Sequence, residues 1–100
     1  MTQLRTILHS VRDKKFLISN FMNELLDKYE GAIRTGSLTV FNLNDFQSIR
    51  LPIFHNDRRF VLETLDEYQR SMEFITIQNG TVSLTSKGII WAKGPKKDWD

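Results

Sequence analysis

"FITIQNGTVSLTSKG", residues 74–88, places two short apolar-polar alternations around an Asn-Gly pair. Asn79-Gly80 is the preferred two-residue type I′ turn, because both central residues need positive φ. Pairing outward from it sets Gln78 opposite Thr81, Ile77 opposite Val82, Thr76 opposite Ser83 and Ile75 opposite Leu84. Both apolar pairs fall on one face and both polar pairs on the other. A one-residue slip would destroy that match, so the register is fixed by the residues themselves. Thr85 then caps a final helix running to Trp91 or Lys93, which Gly94 and Pro95 end. The last stretch, residues 95–100 with "KKDWD" at its end, reads as a flexible tail.

Working back from the hairpin, "RRFVLETLDEYQRSM" (Arg58 to Met72) has a helical apolar stripe of Val61, Leu62, Leu65, Tyr68 and Met72. Asn56 or Asp57 supplies its N-cap. "LPIFHND" before it is a turn with Ile53 and Phe54 tucked inward, and Pro52 stops the preceding element. That element, "NDFQSIR" (Asn44 to Arg50), reads as a brief helix capped by Asn42 or Asn44. Leu38, Val40 and Phe41 suggest a short strand, with β-branched Thr39 and Val40 favouring it. Residues 1–36 are helical, with apolar groups at Leu4, Ile7, Leu8, Val11, Ile18, Phe21, Met22, Leu25, Leu26 and Tyr29. "RDKK" (Arg12 to Lys15) interrupts the seam, and Asp13 can cap a fresh helix at Lys14. One long helix and a short helix followed by a longer one therefore both fit. Gly31 and Gly36 end the segment in either case.

The 100 residues bound the chain to one domain with a modest core. Its hydrophobic (40%) and charged (26%) fractions are those of an ordinary globular domain, and a formal charge of +2 commits it to no polyanion. Absence of cysteine excludes disulfides and thiolate metal sites. The segment "MTQLRTILHS" lacks the apolar core of a signal peptide, and no apolar run is long enough to span a bilayer. A cytoplasmic domain with no membrane association is the expectation. His9 and His55 lack a metal-ligand cluster, and no P-loop, Rossmann, HExxH or G-x-S-x-G pattern occurs. No enzyme activity and no cofactor are expected.

The order helix, short strand, helix, helix, hairpin, helix is an α+β arrangement. It resembles the winged helix-turn-helix superfamily, in the general pattern of PadR-like and MarR-like regulators. The resemblance covers roughly residues 38–94 and rests on "VLETLDEYQRSMEFITIQNGTVSLTSKG" (Val61 to Gly88), with Leu84, Thr85 and Gly88 forming a Leu-Thr-x-x-Gly pattern. It implies a winged-helix core at 37–94 behind an amino-terminal helical extension. Asn44 to Arg50 would be the first helix of the motif, Arg58 to Met72 the recognition helix, and Gln78 to Thr81 the wing tip. Its functional implication is duplex DNA in the service of transcription regulation. Arg58 and Arg59 would open the recognition helix onto base edges or phosphates. Arg50, Lys87 and the hairpin residues Gln78, Asn79 and Thr81 would position the DNA backbone.

Charge pulls the other way. Between Asp57 and Glu73, Arg58, Arg59 and Arg70 face Asp57, Glu63, Asp66, Glu67 and Glu73, a net of −2. A groove-entering helix is usually basic. The hairpin tip carries no cation. A winged-helix protein-interaction module without nucleic-acid binding is the rival reading. Residues 74–100 hold the basic bias, and Trp99 beside Lys96 and Lys97 either stacks on a base or partner or sits exposed on the tail. Leu4, Ile7, Leu8 and Val11 exceed what so small a core can cover, so a homodimer interface is expected there, joined by Ile90 and Trp91. Packing of that stripe against the chain's own last helix is the alternative.

Overall fold

A computed structural model describes residues 11–94 and Trp99. The hairpin forms in the register that its side chains dictate. Strands β2 (Ile75–Gln78) and β3 (Thr81–Leu84) pair antiparallel, with Ile75 opposite Leu84 and Gln78 opposite Thr81. Asn79 and Gly80 take φ of 49° and 78°, the left-handed pair that a type I′ turn needs. Ile75 and Val82 are buried, and Ile77 and Leu84 pack against the same core.

A third strand, β1 (Phe41–Asn42), joins the far side of β3, giving the antiparallel order β1-β3-β2. The strand expected around Leu38 and Val40 pairs only from Phe41 onward. Phe41 sits opposite Val82 and so takes the inward position. Alternation then turns Val40 outward, and Leu38 and Val40 are 84% and 52% exposed. The free edge of β2 is blocked where the Ile77 N–H donates to Gln69 Oε1 at 2.6 Å.

Helix α1 (Val11–Thr35) runs unbroken through Arg12–Lys15, so no new helix starts at Lys14; residues 1–10, on which the choice between one helix and two also rests, lie outside the described residues. Asp13 lies inside the helix rather than capping a new one. Arg12 and Lys15 point to solvent, while Lys14 reaches Glu67 at 3.6 Å. Gly31 is also internal; the stop is Gly36, at φ 71°. There Ser37 N–H donates to Ala32 O and Gly36 N–H to Ile33 O, a Schellman closure. The inward face of α1 supplies Leu17, Phe21, Met22, Leu25 and Leu26 to the core.

The expected helix from Asn44 to Arg50 is instead two single 3₁₀ turns, Leu43–Asp45 and Ser48–Arg50. Phe46 between them is extended, with φ −88° and ψ 127°. That backbone sends its ring onto Phe21, stacked at 4.6 Å, and no helical run can keep both. A further 3₁₀ turn, Pro52–Phe54, buries Phe54 but leaves Ile53 45% exposed, against the expectation that both turn inward.

Helix α2 (Arg58–Met72) has the predicted bounds, with Asp57 Oδ1 accepting the Phe60 N–H at 3.1 Å. Its inward stripe is Phe60, Val61, Thr64, Leu65 and Tyr68; Leu62, expected there, is 38% exposed. The helix ends at Glu73, a non-glycine residue in the left-handed region. Beyond β3, Thr85 Oγ1 accepts the Gly88 N–H at the start of α3 (Ser86–Ala92) and donates to Glu73 O, while Thr85 N–H donates to Phe74 O. A Cβ on Gly88 would lie 2.2 Å from the Phe74 carbonyl oxygen. The Leu-Thr-x-x-Gly pattern thus has a physical reason. Threonine ties the helix start to the end of α2, and glycine lets α3 press against backbone.

Of the expected flexible tail, residues 95–98 and 100 lie outside the described residues, but Trp99 is in the core at 2% exposure. Its Nε1–H donates to Asn23 Oδ1 at 2.9 Å, its carbonyl accepts from Tyr68 Oη at 2.7 Å, and its ring meets Phe74 edge-on. Both readings of an exposed tryptophan are therefore overturned. The whole is an α+β arrangement of three helices against a small antiparallel sheet. No helix among the described residues is long and apolar enough to cross a membrane.

Candidate nucleic-acid interface

The cations nominated from the sequence divide by their partners. Arg59 Nε lies 3.0 Å from Glu63 Oε2, one helical turn on. Lys87 Nζ lies 3.9 Å from Glu73 and 5.7 Å over the Phe74 ring. Arg70, on the same outer face of α2, pairs with Asp66 at 3.1 Å. Lys14, Arg59 and Arg70 thus set three cations against Glu63, Asp66 and Glu67. The outward face of α2 is close to neutral and offers phosphate little.

Arg50 and Arg58 differ. Arg50 Nη2–H donates to the Asn44 carbonyl, and Arg58 Nη2–H donates to Asn44 Oδ1 at 3.3 Å. Among the described residues no carboxylate pairs with either. They come together because Arg50, at the end of the Ser48–Arg50 turn, and Arg58, at the start of α2, both reach Asn44 in the Leu43–Asp45 turn. Ile49, Arg50, Asn56, Arg58 and Val61 line a shallow cleft of about 180 Å³. His55 and Asn56, at φ 52° and 58°, turn the chain into the helix at its margin. Two guanidiniums held by neutral oxygens have donors to spare, which suits bidentate contact with an anion.

The turn that carries Arg50 is fixed from a distance. Glu24 of α1 accepts the Gln47 N–H at Oε2 (2.8 Å) and the Ser48 N–H at Oε1 (2.9 Å). Partial burial works against the charged form. The two backbone donors, the nearby Ser48 hydroxyl and Lys28 outweigh it and hold the carboxyl below the usual glutamate range. The Ser48 hydroxyl lies close by yet makes no hydrogen bond of ordinary geometry, the one buried side-chain polar atom so placed among the described residues.

The hairpin brings its polar residues to the opposite face of the sheet from the core. Gln78 and Asn79 are exposed, and Thr81 is half-buried with Oγ1–H donating to Gln78 O at 2.8 Å. The tip is pinned on its other side, where Leu43 N–H donates to Gly80 O at 2.8 Å. It is a short, uncharged, fixed edge.

Of the residues assigned to a dimer surface, Leu4, Ile7 and Leu8 lie outside the described residues. Val11 and Ile90 are 69% and 72% exposed. Trp91 stacks on Phe74 at 5.2 Å, so part of its ring serves the fold. The sequence reading missed a groove of about 590 Å³ between the second half of α1 and α3, floored by Leu26, Tyr29, Ile33, Ile89 and Ala92. Spacing held the signal: Leu26, Tyr29 and Ile33 lie at i, i+3 and i+7, a stripe that outruns the core. No cluster of metal-ligating side chains occurs among the described residues.

Comparison with protein-family profiles, with curated proteins and with solved structures gives no match in any of the three.

Proposed function

We propose that this domain binds duplex DNA as a winged-helix-like module and serves as a small transcription regulator. In this reading α2 is the helix presented to the groove, and the Arg50–Arg58 pair at its start engages the phosphate backbone. The single observation that carries the reading is the pairing pattern. Arg59 and Lys87 are balanced by carboxylates, while Arg50 and Arg58 converge on Asn44 with no carboxylate paired to either among the described residues. Gln78, Asn79 and Thr81 add neutral hydrogen-bonding groups from the hairpin. The site is then small, with binding that depends on few charges.

The test is titration of a mixed-sequence duplex over a salt series. Affinity falls as salt rises, and the paired change Arg50→Ala/Arg58→Ala lowers it by about tenfold or more and flattens the salt slope by about two contacts. Absence of binding at low salt overturns the proposal.

A second reading, a protein-interaction module without nucleic-acid binding, draws on the near-neutral outer face of α2 and on the apolar α1–α3 groove. It gains if Arg50→Ala/Arg58→Ala changes nothing while substitutions in the groove alter assembly.

A further inference from the structure

We infer that the α1–α3 groove is a binding site for a small amphipathic anion, an unbranched alkyl carboxylate whose chain lies on the apolar floor and whose head meets Arg34 and Lys93. The inference goes beyond the DNA reading and does not depend on it. The volume of the groove, about 590 Å³, is that of a small-ligand site. Its floor is apolar throughout, from Leu26, Tyr29 and Ile33 on one helix to Ile89 and Ala92 on the other. Leu26 to Ile33 advances about 10 Å along α1 at 1.5 Å per residue, a run for a chain to lie along. Ile33 is 58% exposed, and a seated chain takes that apolar surface out of water.

Charge selects the sign of the head group. Glu30 and Arg34 stand at i,i+4 on α1, the spacing of a helical ion pair, yet no such pair forms. Arg34 Nη2 lies instead 3.8 Å from the place that a Gly31 Cβ would take. Lys93, on the α3 side, likewise has no carboxylate partner among the described residues. Two unpaired cations and one carboxylate thus line a groove whose other walls are apolar, and the surplus is positive. The nearby helix ends do not reverse it. Carbonyls in their last turns already accept N–H groups, from Gly36 and Ser37 at α1 and from Lys93 and Gly94 at α3. A second copy seated groove to groove would set one positive surplus against another. An anion with an apolar body meets both the floor and the charge.

The test uses the full-length chain with decanoate as the probe, read by amide chemical shifts and calorimetry. Decanoate moves the amides of residues 26–34 and 89–93 first and binds with a dissociation constant of about 100 μM or tighter. Hexanoate, shorter by four methylenes, binds at least about tenfold more weakly. Decylammonium, the same chain with the opposite charge, is also weaker by about tenfold or more, because it meets two cations instead of pairing with them. Arg34→Gln/Lys93→Gln, at exposed positions, removes that preference for the anion and leaves the melting temperature unchanged. Glu30→Gln removes the like charge and tightens decanoate about twofold or more. The inference is overturned if decanoate leaves those amides unmoved at millimolar concentration. Equal binding of decylammonium and decanoate overturns it too, as does a preference that survives the paired glutamine change. So does a dimer whose groove amides are protected from exchange and take up no decanoate, since the occupant is then a second copy.

Discussion

The hairpin with its following helix and the run of turns from Leu43 to Phe54 are held by different means. In the hairpin and its following helix, the partners that set turn, register and cap are close in sequence. The turn residues accept their own left-handed backbone, the strands pair across two residues, and Thr85 and Gly88 lock α3 to the residue that opens the hairpin. In the turns, the main partners come from elsewhere. Phe46 leans on Phe21, Gln47 and Ser48 hang from Glu24, and Arg50 and Arg58 share Asn44. The first region is stable by its own grammar. The second exists because α1 and α2 are already in place, and it is the region that carries the candidate interface. A site built this way inherits its geometry from remote side chains.

Phe46→Ala sharpens that contrast most. It empties a fully buried position and removes the stack on Phe21, a loss of about 3–5 kcal/mol for a buried aromatic. The denaturant midpoint falls accordingly, and amide exchange speeds first in residues 43–50 while the β2–β3 amides keep their relative protection. Equal loss of protection in both regions would break the distinction.

Gly88→Ala attacks the locally held region instead. The added methyl meets the Phe74 carbonyl, a backbone atom that cannot swing aside, so α3 must shift from the sheet. A cost of about 1–3 kcal/mol is expected from forced overpacking. The change is read as a lower melting temperature and altered near-ultraviolet signal from Trp91, with the Glu24-bound amides little affected. A neutral outcome would mean that α3 contributes little to the hairpin it follows.

The same contrast explains what was legible in the sequence. Hairpin register, the bounds of α2 and the Thr85 cap are set by neighbours within a few residues and could be read in advance, and the α2 cap could be narrowed to Asn56 or Asp57, of which Asp57 serves. The 3₁₀ turns could not, because "NDFQSIR" has the residues of a capped helix and only the distant Phe21 and Glu24 decide otherwise. Nothing in "KKDWD" marks Trp99 as core; its donors and acceptors, Asn23 and Tyr68, are chosen by tertiary packing. For the candidate site, residue type identified the cations but not which would be neutralised. The Arg59–Glu63 and Asp66–Arg70 pairs follow from i,i+4 spacing. The convergence of Arg50 and Arg58 on Asn44 needs the turns, and it arrives with them.

Glu24→Gln is the smallest change and the most selective probe of borrowed structure. Glutamine keeps the shape but offers one acceptor oxygen where the carboxylate offers two, each used by a backbone N–H. Loss of a charge-assisted pair costs about 1–2 kcal/mol at neutral pH. The pH dependence fixes its origin. The carboxyl of Glu24 is held below its ordinary range in the folded chain, so the stability it adds is complete above the ordinary glutamate value and is lost as pH falls through the lowered one. Melting temperatures of the two proteins should therefore differ by a constant amount near neutrality and converge in acid, once the native carboxyl is protonated. If the gap stays the same in acid, the charge of the side chain is not what holds Gln47 and Ser48. Arg50 would then be positioned by the packing around Phe46 and by its own hydrogen bond to the Asn44 carbonyl.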